Sequence, residues 1–281
     1  MDRAAIALVA LALASCGHSS EDSATPAAGQ VAAEPTAAEG LRSLFSSAGE
    51  KLPPLRQISA NRPDLLGFQL RSEDALSTWE RLRALTERTG YYPVLLRDEH
   101  GMLAEERGLA PAEQLLEAAK ALDGKAWLEA RAKEANEDPE AAAPRGKPDE
   151  PAEAQNKFVL PFDVLSGKPV DDLWLLLIPT RFGHEVPAYI GFGGWNACPP
   201  PEVHVAVLRH WHERYGAELV TMGGDVIELR AGRPTASATD SLVLAFEQFH
   251  YCEDIVTQGV GTLDALADTL RKSTVWYFWW D

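Results

Sequence analysis

The chain reads as an α+β protein, a mixed β-sheet with helices packed against one face, preceded by a disordered tether. Three observations predict this. Short apolar runs bounded by turn residues, such as DLWLLLIP (172–179) and TVWYFWWD (274–281), have the pattern of buried strands. Other stretches carry apolar residues at helical spacing. Ahead of both, residues 17–40 are Ala, Ser, Thr, Pro, Gly and Glu with almost nothing large and apolar, too little to offset the entropy of ordering.

Taken in order, LRSLFSSAGEKL (41–52) is a candidate helix and GFQLRS (67–72) a candidate strand. Residues 72–90, SEDALSTWERLRALTERTG, form an amphipathic helix. Leu76, Trp79, Leu82 and Leu85 recur near the 3.6-residue period, Ser72 is placed to cap the start, and Gly90 ends it. YYPVLL (91–96) reads as a strand, and residues 111–135 as helix broken near Asp123 and Gly124. Residues 136–156 hold four prolines, many charges and no apolar period, and read as a variable linker. This divides a first part, 41–135, from a C-terminal part, 157–281.

In the C-terminal part, strands at 172–179 and at AYIGFG (188–193) flank an exposed loop containing His184. A helix from about Pro200 to Tyr215 follows a glycine turn. AELVTMGGDVIELRAG (217–232) has β-rich arms around Gly223 and Gly224, the composition of a hairpin. Helices at roughly 240–254 and 262–272 lead to a closing strand. Its alternation puts Trp276, Phe278 and Trp280 on one face and Tyr277 and Trp279 on the other.

The first residues, MDRAAIALVALALASC, point to a compartment. Arg3 precedes an apolar run over 4–14, too short to span a bilayer but the length of a signal-peptide core. Leu13-Ala14-Ser15-Cys16 resembles the bacterial lipobox. The expectation is a signal peptide over 1–15, a lipidated Cys16 and a tether over 16–40, with membrane attachment only through the N-terminal lipid. Each buried methylene of such an anchor contributes about 0.8 kcal/mol. Gly17 stands where an aspartate would retain the protein at the inner membrane, which favours the periplasmic face of the outer membrane.

Forty-two acidic against 26 basic residues give a net charge of −16, and no Lys/Arg cluster exceeds a pair. Nucleic-acid binding needs a basic footprint and is excluded. A protein, peptide or small polar ligand remains as partner. With Cys16 used for lipid, Cys198 and Cys252 are an even remainder in an oxidising compartment, which favours a disulfide.

The segments GFGGWNACP, LRHWHERYGAELVTMGGDVIEL, EQFHYCEDIVTQG and WYFWWD, in that order, resemble a bacterial family known as domain of unknown function 4253. WERLRALTERTGYYPVLL resembles that family's upstream segment, so the similarity covers most of 73–98 and 186–281. The resemblance carries no established activity. Its members often lack an export signal, and matching cysteines would there sit in reducing cytoplasm, which weakens the disulfide reading.

Candidate chemistry stays open at this level. Cys198, just before a helix, with His204 six residues on and His250 elsewhere, is a possible nucleophile and base. His204 shares a helical stripe with Leu208, Trp211 and Tyr215, however, which reads as packing. Cys198, His204, His210, His212, His250, Cys252 and Asp254 lack the repeated close spacing of a zinc site, so no metal or cofactor is expected. Asp225, Glu228, Glu247, Glu253, Asp254 and Asp281 offer paired carboxylates, with Glu247 and Asp254 two turns apart if helical; a solvated face explains them equally. The first hypothesis is a tethered binding module whose surface is built from Trp195, Asn196, Asp254, Gln258, Trp279 and Asp281. The alternative is an extracytoplasmic hydrolase acting through Cys198 or paired carboxylates.

Overall fold

A computed structural model describes residues 36–59, 62–97, 110–137, 142–146, 153–163, 166–235 and 237–281. The expected signal peptide, Cys16 and the tether up to residue 35 lie outside these. The last tether residues do not: Thr36 caps helix α1 (Ala37–Ser47) in a reciprocal capping box with Glu39. The apolar stripe of this helix buries Leu41 and Phe45, so its start falls four residues ahead of the expected one.

Among the described residues seven strands form one sheet: β1 (Arg56–Ser59), β2 (Arg62–Gln69), β3 (Tyr92–Arg97), β4 (Leu173–Ile178), β5 (Glu218–Met222), β6 (Val226–Arg230) and β7 (Val275–Trp279). Their spatial order is β1-β2-β4-β3-β5-β6-β7, antiparallel except for the β3/β5 pair. Strand β4, from beyond the supposed linker, lies between β2 and β3, so both parts of the chain share this sheet. Where it is described, the linker is also docked: Pro144 O accepts from Leu263 N, and Arg145 grips Asp264 at 2.9 Å.

Helices cover both faces, not one. The reason is visible in β3 and β4, where Tyr92–Leu96 and Leu175–Ile178 are buried without alternation. On one face, α2 (Ser72–Arg83) seats Trp79, whose indole donates to Pro93 O and lies under the Arg230 guanidinium. Ser72 is the first helical residue and bonds Val170 O instead of capping, while Gly90 closes the following short α3 (Thr86–Thr89) in the left-handed conformation. On the other face, α7 (Pro201–Tyr215) lays Trp211 against Trp276 and Phe278. Helices α4 (Ala112–Lys120) and α5 (Gly124–Glu137) back α7, broken at Asp123 as expected, and α8 (Ala238–Tyr251) pairs with α9 (Leu263–Leu270). The run AYIGFG is not a strand: residues Val186–Ile190 form the short helix α6, with Pro187 in its first turn and a left-handed Gly191 closing it. A short apolar run that is buried except for a partly exposed Tyr189 does not declare its period. No helix among the described residues is long and apolar enough to cross a membrane.

One buried carboxylate fastens an irregular segment to the sheet. Glu228 of β6 is 0% exposed and accepts from Val159 N (2.7 Å), Leu160 N (3.1 Å) and Thr221 Oγ1 (2.7 Å). Burial raises its pKa above the ordinary 4.5, against the pull of those three donors. A carboxyl that binds its proton more tightly folded than unfolded loses stabilisation as pH rises from about 4.5, the unfolded value, through the higher folded one. Glu228→Gln should remove that slope from a pH series of denaturant melts, and Glu228→Ala, which orphans three donors, should cost about 3 kcal/mol at neutral pH.

Candidate functional site

Beyond Glu228, the 153–163 segment is tied to the start of β7. Gln155 O accepts from Thr274 N and Val275 N at 3.2 and 3.0 Å, and Gln155 N donates to Ser273 Oγ at 2.8 Å. A π-helical turn, Ile255–Val260, lies beside β7, and α9 packs against that turn. Between these walls lies a cleft of about 1030 Å³. It is lined mainly by apolar side chains, among them Phe158, Val159, Val260 and Leu266, with Tyr277 and Trp279 presented by β7. Such a volume is at the upper end of the range for small-molecule sites, about 300–1,000 Å³. The Trp279 indole N–H donates to Asp225 Oδ2 at 3.0 Å, which fixes the ring's orientation.

The three segments chosen from sequence meet at the rim. Asp254 accepts from Gln258 Nε2 at 2.9 Å and from Asp281 N at 3.1 Å, and Asn196 Nδ2 donates to Asp281 O at 2.7 Å. Asp254 and Trp279 line the cleft, and Trp195 packs edge-on against Phe192. The contribution of Leu76 and the 155–163 segment was not foreseen. The segment's lining role depends on Glu228 folding an irregular stretch back over the sheet, and nothing in its local sequence signals that.

The thiol reading meets a different outcome. Cys198 and Cys252 are both free and buried, so the expected disulfide is not formed. Cys252 Sγ instead donates to Trp279 O at 2.9 Å. Cys198 Sγ lies 3.4 Å from His204 Nε2, and His204 Nδ1 lies 2.5 Å from Tyr251 OH. His250, the other proposed partner, stacks on Phe246 and packs against Phe249 instead. The Phe192, Tyr251 and Trp280 rings surround the His204 imidazole. Gly193 lets this imidazole approach: at φ 105° it would hold any Cβ 2.0 Å from Pro199 O and 2.6 Å from His204 Nε2.

Burial decides the electrostatics of this group. It lowers the His204 pKa to about 3 and raises that of Cys198, with the nearby Cys252 adding to the rise. Burial also pushes Cys252 up to about 12. A thiol, a neutral imidazole and a phenol in a row satisfy one another in either tautomer without any charge. Nucleophilic catalysis needs a thiolate, which this apolar setting disfavours.

The remaining candidates disperse. Helix α8 ends at Tyr251, so Asp254 is not two helical turns beyond Glu247. Glu247 bonds Trp211 Nε1 at 2.9 Å and His210 Nε2 at 3.3 Å, on the α7 side. His212 contacts Ala217 O, and Glu253 sits beside His250 at a separate polar hollow. Among the described residues no three His, Cys, Asp or Glu side chains gather as metal ligands.

Two outcomes are expected. Iodoacetamide should modify neither Cys198 nor Cys252 in the folded protein, and both after denaturation without reductant, as read by mass spectrometry. Gly193→Ala should lower stability by about 2 kcal/mol in denaturant melts, from the positive φ and the overpacked Cβ.

No curated protein and no solved structure matches the chain. A family match exists, and it covers Cys198, His204, Asp254 and Trp279 but neither the 73–98 segment nor the 155–163 wall of the cleft. Residues 174–281, from β4 to the end of the chain, match the family described as Domain of unknown function (DUF4253).

Proposed function

We propose that this protein is a lipid-anchored envelope protein whose folded body binds a small apolar ligand, with the cleft beside β7 as its recognition site. The observation that carries this reading is the cleft itself, about 1030 Å³ with Tyr277 and Trp279 among its apolar lining. Because Asp225 already holds the Trp279 indole, a large flat surface is presented without further ordering cost on binding. Export and acylation at Cys16 are supported by the MDRAAIALVALALASC segment, and the tether would let the body stand off the periplasmic face of the outer membrane. A net charge of −16 argues against polyanionic partners.

The alternative, a thiol hydrolase, is favoured by the 3.4 Å contact of Cys198 with His204. The burial that keeps both groups neutral opposes it, as does the 4% exposure of Cys198, which leaves a substrate little access.

Nile red, a neutral apolar dye, tests the binding reading on the full-length chain. Bright, saturable emission is expected, weakened about tenfold by Trp279→Ala and by Val260→Asp. Val260 is 38% exposed, so its variant should keep the wild-type circular dichroism and melting temperature. Absence of dye binding, or binding unchanged in both folded variants, would remove the cleft as the site.

A further inference from the structure

We infer that the cleft takes a free fatty acid, with the alkyl chain along its apolar walls and the carboxylate at Lys157. This rests on the ligand-binding reading above and names the class of ligand. Four of the polar side chains that line the cleft are already engaged. Gln155 Nε2 donates to Lys157 O at 2.9 Å, and Asn156 Oδ1 accepts from Thr274 N and Oγ1, both at 2.9 Å. Asp163 Oδ1 accepts from Ser166 N and Oγ at 2.7 and 2.6 Å, and Asp254 is shared between Gln258 and Asp281. A ligand rich in hydrogen-bonding groups would find these partners taken, whereas an alkyl chain needs none of them.

Lys157 differs from these four, and the buried Trp276 indole N–H, also unpartnered, carries no charge. Among the described residues Lys157 is the one basic residue lining the cleft and no carboxylate pairs with it, and its side chain is exposed. An ammonium at the mouth of an apolar cleft complements an amphiphile with an anionic head.

The edge of β7 argues against an extended peptide. Strand addition needs a run of outward-facing main-chain groups. Val275 N already donates to Gln155 O at one end, and Trp279 O accepts from Cys252 Sγ at the other. With both ends of the edge taken, no run long enough for an added strand remains.

The test is displacement of Nile red from the full-length chain by octanoate, decanoate, dodecanoate and tetradecanoate, with the matching alcohols as uncharged controls. Affinity should rise about fourfold per added methylene, as transfer of an alkyl chain from water predicts. Dodecanoate should bind about fivefold tighter than dodecanol, a difference that Lys157→Ala abolishes while leaving the alcohol unchanged. A flat chain-length series, or acid and alcohol bound alike by the wild-type chain, overturns the proposal. Nile red bound but displaced by no acid overturns the fatty-acid assignment and leaves the binding site standing, whereas no Nile red binding removes both.

Discussion

The Glu228 carboxylate in the sheet is what the rest of the molecule is arranged around. It accepts from Val159 N, Leu160 N and Thr221 Oγ1, and so converts a stretch without regular secondary structure into a fixed wall. Burying an acid costs free energy that an apolar side chain would not, yet an apolar side chain offers no acceptor to two main-chain N–H groups. That wall is one side of the cleft beside β7, which the π-helical turn also lines. The same fastening links 153–163, the hairpin of β5 and β6, and the closing strand.

The opposite face shows how a reactive-looking group can be made inert. Cys198, His204 and Tyr251 are spaced as a nucleophile, a base and an orienting group would be. Three aromatic rings around the imidazole remove the solvent and the charge that would activate them. The row is best understood as a way to bury three polar side chains with each satisfied, which fixes the glycine turn at Gly193 against the start of α7. Trp279 links the two faces: its carbonyl takes the Cys252 thiol while its indole lines the cleft.

Much of the fold was legible residue by residue. The period of Leu76, Trp79 and Leu82, the arms around Gly223, and the alternation of Trp276, Phe278 and Trp280 each correspond to the element observed, because burial imposes a period on the side chains that face the core. AYIGFG misled because Ala188, Ile190 and Phe192 are buried and Tyr189 is only partly exposed, too little contrast to tell a turn of helix from a strand. At the site, Asp254, Gln258, Asn196 and Asp281 were chosen from three separate stretches of chain, and the structure joins them by hydrogen bonds. Their clustering follows from the glycine turn before α7, the π-helical turn and the residues after β7 meeting at one rim of the sheet.

The sequence by itself determined the class of the fold, most of its helices and strands, and the acid surface, since these depend on local pattern and composition. Only the tertiary structure decided that β4 enters between β2 and β3, that Cys198 and Cys252 take separate partners instead of each other, and that a cleft opens along β7. Those three outcomes depend on contacts between residues far apart in the chain. Whether a thiol finds a thiol or a carbonyl, and whether a carboxylate faces water or the main chain of a distant loop, is set by which elements share a face of the sheet, and no local pattern carries that information.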